Sequence, residues 1–308
     1  SAPRAPLHSA SPCVLIACGV NETPSDPAMR WVMRIRRYDP PSTMIILNAK
    51  PIAITGASSG IGLATARLCA KAGMPVALAA RRIEKLEQVA AEINASGGRA
   101  IAVECDVSQE AHCERLIDQT VEAFGSIYAV FANAGFAIEG SVEASTEYDI
   151  RRIFETNFFG SLHVIRPALP RMLEAKSGHI LFCSSCLAKI GLPYFASYSA
   201  SKAAQDHFAR SMRIELAGTG VHVSSVHPIG TKTEFFDTVA SLSTSRQAPR
   251  TPERFMQPPE TVAKAVVKCL KKPKGEVWTS VATRTAMGLG VIFPGATDWF
   301  LSRAVNRK

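Results

Sequence analysis

The chain has 308 residues, 47% apolar and 20% charged, enough to bury a sizeable core in one large domain or two small ones. Its net charge of +9 gathers partly in residues 30–38, 266–274 and 302–308. With no nucleic-acid module and no aromatic–basic interleaving, this charge reads as a solvated surface that suits anionic small molecules or headgroups, and nucleic acid is excluded as a partner. Eight cysteines scattered over so long a chain exclude a small disulfide scaffold and imply free thiols in a reducing cytoplasm, while no apolar run is long enough to span a bilayer.

Residues 1–43 are rich in Pro, Ser and Ala without a sustained period, and they read as a poorly ordered N-terminal extension. The apolar run CVLIACGV at 13–20 imitates the core of a signal peptide, but only Arg4 precedes it as a positive charge, so secretion is not expected. Met44 reads as the natural start of the main domain, residues 44–284. From Pro51 short apolar runs alternate with amphipathic stretches. Strands are expected at 51–55, 75–80, 100–105, 127–132, 179–184, 221–226 and 276–280, with helices such as 82–93 and 109–124 between them. Strands apolar on both faces, alternating with helices, predict an α/β fold: one Rossmann-type, doubly wound parallel sheet of about seven strands covered on both sides. Ligands of such sheets lie beyond the carboxyl ends of the strands.

The first strand runs into ITGASSGIG, residues 54–62, where Gly56, Gly60 and Gly62 have the spacing G-x-x-x-G-x-G. Glycines there permit a tight turn and close backbone approach to a pyrophosphate at the helix N-terminus. The second strand ends in ALAARR. Ala80 stands where an acidic residue would bind the ribose hydroxyls of NAD, and Arg81 and Arg82 follow. Guanidinium groups suit a 2′-phosphate, so NADP(H) is favoured over NAD(H). Asp106, after the third strand, is placed to accept from an adenine amino group, and the fourth strand ends in FANAG, small enough to let a flat cofactor lie close.

Further along, Tyr198 and Lys202 are spaced Y-x-x-x-K, one helical turn apart. A free tyrosine with a pKa of about 10 is a poor proton shuttle, and a neighbouring ammonium is expected to lower it. Ser185 lies thirteen residues before Tyr198 at a strand end, placed to hold a carbonyl oxygen. Asn157 is a polar residue in an apolar helical stretch, expected to hold a water that relays protons from Lys202. Cys183 and Cys186 flank the serine, but no second ligand pair completes a metal site, and they sit at a strand end rather than a helix start. They are read as packing residues, and no metal is expected.

Taken in this order, Thr55-Gly56-x-x-x-Gly60-x-Gly62, Asn133-Ala134-Gly135, Asn157, Ser185 and Tyr198-x-x-x-Lys202 resemble the short-chain dehydrogenase/reductase family over about residues 51–280. The resemblance implies an Asn–Ser–Tyr–Lys tetrad: Tyr198 as general acid/base, Ser185 orienting the carbonyl, Lys202 binding the nicotinamide ribose and Asn157 supporting the relay. It carries cofactor contacts onto Gly56, Ser58, Ser59, Gly60, Ile61, Gly62, Arg81, Arg82, Asp106, Val107, Asn133, Ala134, Gly135, Pro228 and Thr233, besides Tyr198 and Lys202. It also implies a homodimer or homotetramer assembled through the helices bearing Asn157 and Tyr198.

Two departures stand out. Ile229 replaces a common glycine after the sixth strand, with Gly230 one later, and Ser59 stands where many NADP(H)-using relatives have a basic residue. Residues 231–256 read as a substrate lid with Phe235, Phe236, Val239 and Leu242 apolar, and Tyr194 and Phe195 as further walls. The extension 285–308 is apolar and basic; packing on protein is preferred over peripheral membrane contact. The expected activity is interconversion of an apolar carbonyl compound and its alcohol, running as a carbonyl reductase in the cytoplasm. The alternatives are reduction of 3-oxoacyl groups on an acidic carrier, and a non-catalytic dinucleotide sensor.

Overall fold

The computed structural model describes residues 44–243, 248 and 253–306. The expected extension at 1–43 lies outside the described residues, as do 244–247 and 249–252 of the expected lid.

Seven strands form one parallel sheet in the order β3-β2-β1-β4-β5-β6-β7. They are β1 (Ile52–Thr55), β2 (Val76–Ala80), β3 (Ala100–Glu104), β4 (Ala129–Ala132), β5 (Gly178–Cys183), β6 (Val221–His227) and β7 (Glu276–Trp278). All seven fall on the expected runs, within one or two residues. Their side chains alternate between two cores. Ile52 and Ile54 of β1 face one, with Val76 and Leu78 of β2 beside them; Ala53 and Ala77 face the other.

Each core is closed by helices whose apolar stripe matches it. On the first face lie α1 (Gly60–Lys71), α2 (Ile83–Ala95) and α8 (Pro259–Lys271), through Cys69, Leu86, Ile93, Val262, Val266 and Leu270. On the second lie α3 (Glu110–Phe124), α5 (Gly160–Glu174) and α6 (Ala196–Glu215), through Leu116, Ile117, Val164, Met172, Ala209 and Met212. Phe131 and Phe182 are fully buried, one toward each face. Burying such a side chain contributes about 2 kcal/mol.

Sheet order reverses between β1 and β4, and the carboxyl ends there open onto the crevice where such sheets take their ligands. Short α4 (Glu147–Phe154) leads through a single π turn, Glu155–Phe159, into α5. A π turn re-aims the groups within it and often marks a functional position; Asn157 is its central residue. After β6 comes α7 (Phe235–Leu242), which lies within the expected lid. The segment is tied down from below: the buried Glu139 accepts from the Ala248 N–H at 2.7 Å, and its own N–H donates to Ser243 Oγ at 2.7 Å.

The chain ends in α9 (Val281–Ile292) and α10 (Pro294–Asn306). No residue of α9 is buried, and Val291, Ile292, Phe293 and Phe300 are all more than half exposed. Among the described residues, these side chains have little protein packed over them within one copy of the chain. No described helix is long and apolar enough to cross a membrane.

Candidate active site

The turn from β1 to α1 forms the floor of the crevice. Gly56 and Gly60 have φ of +65° and +55°, a left-handed backbone that side-chain-bearing residues adopt only with strain. At Gly62 a Cβ would run into the Gly56 carbonyl oxygen, so the third glycine is needed for close packing of helix on turn. Asn133 stitches this turn to the end of β4, donating from Nδ2 to Thr55 O at 2.9 Å, while Thr55 Oγ1 accepts from the N–H groups of Asn133 and Ala134. Ser59, the N-cap of α1, makes no side-chain cap bond, and the first turn contains no acidic residue. The open helix N-terminus therefore keeps its N–H groups and positive dipole end for an anion, and a dinucleotide pyrophosphate fits that donor set.

The arginines after β2 divide their roles. Arg82 donates to Ser58 Oγ at 2.8 Å and pairs with Glu234 at 2.8 Å, while Lys85 reaches the same carboxylate at 3.2 Å. Arg81 is exposed, and its charge acts on Asp106. Burial works against the Asp106 carboxylate, but hydrogen bonds from Ser108 and the Arg81 charge hold it below its usual range. A cleft of about 450 Å³ runs beside these groups, lined among others by Ser58, Gly60, Lys85, Lys232 and Glu234. Glu234 was not anticipated, because a lid carboxylate facing two cations from a distant helix leaves no local pattern. Ile61 borders the first core at the start of α1. Val107 is buried, its carbonyl oxygen taken by the His163 ring at 2.8 Å and its side chain against Gly160.

Ser185, Tyr198 and Lys202 come together above the end of β5. Ser185 is the N-cap of a short 3₁₀ turn, Cys186–Ala188, and its Oγ accepts from the Leu187 N–H at 3.1 Å. The same hydroxyl lies near enough to the Tyr198 phenol to act on its titration. Lys202, fully enclosed one turn further along α6, donates to Cys183 O at 2.7 Å and to Gln205 Oε1 at 3.0 Å. Its ammonium is 5.7 Å from the Tyr198 ring centroid. One correction follows. Tyr198 is not lowered as the spacing predicts; burial pushes its phenol well above the usual range, and the Ser185 hydroxyl only partly offsets this. Burial meanwhile lowers Lys202 to about 8. Asn157 is buried among protein partners. Its side chain exchanges hydrogen bonds with the backbone of Phe136 and donates to Ser201 Oγ, all at 3.0 Å, and its carbonyl oxygen accepts from Ser161 and Gln205.

Gly135 fits between these groups because a Cβ there would lie 3.0 Å from Asn157 Oδ1 and 3.3 Å from Lys202 Nζ. Around Ser185, Cys183 packs in the core, and burial raises both it and Cys186, which favours their thiol forms. Behind Ser185 lies a network that sequence spacing did not reveal. His227 Nδ1 donates to Ser185 O at 3.0 Å, its ring stacks on Trp278 at 4.4 Å, and Lys189 bridges Asp206 and Glu276 at 2.6 and 2.8 Å. A serine whose backbone is held this way has little freedom to drift.

The loop after β6 accommodates Ile229 because its backbone is not left-handed there. It pairs instead with Gln257, through a bridge from Thr231 and a bond from the Gln257 N–H to Gly230 O at 2.9 Å. Pro228 accepts from the Cys186 N–H at 3.0 Å, and Thr233 packs against Gly60. Phe235 covers the phenol, with ring centroids 5.6 Å apart, and Phe195 stands on its other side at 6.2 Å. Tyr194, beside Phe195, has φ of +67°, a strained backbone next to the site.

Fold and site define a dinucleotide-binding oxidoreductase built on a doubly wound sheet. Residues 50–242 match the family model of the short chain dehydrogenases, and the chain belongs to the short-chain dehydrogenase/reductase family of NAD(P)-dependent enzymes. The ketoacyl reductase HetN of Nostoc is 34% identical over 86% of this chain and 94% of its own length. A short-chain dehydrogenase/reductase from Burkholderia phymatum, solved with NAD, superposes with a TM-score of 0.74 at 26% identity, covering 82% of this chain and 97% of the other. An alcohol dehydrogenase from Thermococcus sibiricus, solved with 5-hydroxy-NADP, gives 0.66 at 28% identity over 74% and 95%.

Proposed function

We propose that this chain is an NADP(H)-dependent carbonyl reductase acting on an apolar ketone or aldehyde. The observation that carries the reading is the Tyr198 phenol beneath Phe235, near the Ser185 hydroxyl and with the Lys202 ammonium one turn away. When bound, the cofactor supplies the hydride. The protein's own residues do the rest. Ser185 and Tyr198 point hydroxyls at one place, where a carbonyl oxygen accepts both and gathers negative charge as it is reduced. Tyr198 then gives its proton to that oxygen; a phenol held protonated by burial is in the right state for this direction. Lys202 would hold the nicotinamide ribose. Phe195 and Phe235 exclude water and select an apolar substrate.

Preference for NADP(H) is supported by Ala80 in place of a carboxylate, by the exposed Arg81 that follows it, and by the cations Arg82 and Lys85 near Ser58. A 3-oxoacyl group on an acidic carrier is the second reading, supported by the net charge of +9 and by the likeness to the Nostoc ketoacyl reductase. Assembly of two or four copies through α5 and α6 is supported by Phe159 and Phe208, both more than 40% exposed. A reducing, cytoplasmic setting is supported by eight cysteines scattered over a long chain rather than clustered as a disulfide framework.

The test is a panel of ketones, aldehydes and 3-oxoacyl thioesters, each followed with NADPH and with NADH. Turnover of apolar carbonyls with a higher kcat/KM for NADPH is expected. Tight NADPH binding with no turnover across the panel overturns the catalytic reading, and equal kcat/KM for the two cofactors overturns the cofactor preference.

A further inference from the structure

Gln205 is fully buried and lies one residue short of a turn beyond Lys202 on α6. Its amide is committed at both ends. Oε1 accepts from Lys202 Nζ at 3.0 Å; Nε2 donates to Asn157 O at 2.6 Å and to Ser161 Oγ at 2.7 Å. Ser161 closes the ring by donating to the same Asn157 oxygen at 2.7 Å. Turning the amide over would set its NH₂ against an ammonium and its oxygen against a carbonyl, so only one orientation satisfies the site. An apolar residue would fill this position without burying an amide, so the cost of burying one points to the group it faces.

We propose that Gln205 is a positioning residue for Lys202, a clamped amide through which Asn157 and Ser161 aim and stabilise the ammonium without solvent between them. The inference rests on the role given to Lys202 under the proposed function. Of the three N–H donors of Lys202, Cys183 O and Gln205 Oε1 take two, leaving one for the crevice. Few other titratable groups face it. The Cys183 thiol approaches from β5 and the Tyr198 phenol from α6, whereas Gly135 and the π turn present neutral groups. Asp206 is engaged elsewhere, with Lys189 and His227. An acceptor held against an ammonium favours its charged form, so losing it should lower the Lys202 midpoint, which burial already depresses to about 8.

The experiment follows the ε-amine of Lys202 by NMR in ¹⁵N-lysine-labelled, cofactor-free protein, with Lys202→Arg identifying the signal. Gln205→Leu should move the midpoint down by about one pH unit, and Gln205→Glu should move it up by at least as much. Gln205→Met, longer and more adaptable, replaces the leucine variant should that not fold, with the same downward shift expected. A purely structural role would lower the melting temperature and leave all midpoints together, and that result overturns the proposal. Because the titration is read without cofactor or substrate, failure of the carbonyl panel would remove the reductase reading and leave this measurement to stand on its own.

Discussion

At the scale of the residue, the chemistry turns on what burial does to a few groups. Tyr198 is held protonated by its surroundings, and in the proposed reaction its phenol gives the proton to a carbonyl that Ser185 would also hold. Tyr198→Phe keeps the ring and its contact with Phe235 but removes that proton. We expect kcat to fall by about 10²- to 10⁴-fold with NADPH binding unchanged in a fluorescence titration; a loss under tenfold would remove Tyr198 from the mechanism. His179 tells a parallel story about stability. Fully buried, with Nδ1 unpartnered and the His222 ring 5.8 Å away, its imidazole is depressed by burial to about 3 from an ordinary 6.5. Between those values the unfolded chain binds a proton that the folded chain refuses. His179 therefore contributes stability that is complete above about pH 6.5 and is lost as pH falls toward its folded value. Urea unfolding at pH 7 and pH 5 should show wild type losing up to about 1.4 kcal/mol per pH unit more than His179→Leu. Equal losses in the two proteins would show that His179 is not the group responsible.

At the scale of the element, the sequence located almost every segment and misjudged what joined them. Strand ends carrying Gly56, Asn133, Ser185 and the Tyr198–Lys202 pair were legible because each motif is local and its spacing is set by one turn or one helix. The partners that complete the site were not. Gln205 and Ser161 are ordinary helix residues until the π turn brings the Asn157 carbonyl between them, and that turn has no sequence period of its own. Glu234 likewise becomes meaningful only when the loop after β6 returns to the start of α2. Its carboxylate, held below its usual range chiefly by the Arg82 hydrogen bond, pairs with two of the cations to which the proposed NADP(H) preference assigns a 2′-phosphate. Removing that charge frees them. Glu234→Gln should tighten NADPH about threefold, the scale of an exposed ion pair, and leave NADH unaffected in parallel titrations. Weaker NADH binding with no gain for NADPH would instead mean that Glu234 accepts from ribose hydroxyls, and the cofactor preference would have to be reversed.

At the scale of the whole molecule, the alternation of β-runs and helices was sufficient to predict a seven-stranded parallel sheet, because only a sheet covered on both faces explains strands apolar throughout. What such alternation cannot specify is which helix faces stay bare, since a surface helix and an interface helix share one stripe toward the core. In the structure, α5 and α6 cover the second core, yet Phe208 on α6 is 41% exposed and Phe159, just before α5, is 44% exposed. Phe158 lies between them, its ring edge-on to both at 5.2 and 5.7 Å. A twofold axis beside this aromatic cluster would bury it against its own copy, and every substitution there would count twice. Phe208→Glu places a charge in that interface without touching the core of one copy. Light scattering should therefore show the mass of the variant reduced to a single chain at concentrations where wild type is dimeric or larger, with an unchanged melting profile at high dilution. A variant that keeps the wild-type mass would move the interface away from these helices and leave the exposed apolar side chains of α9 and α10 as the surface to test next.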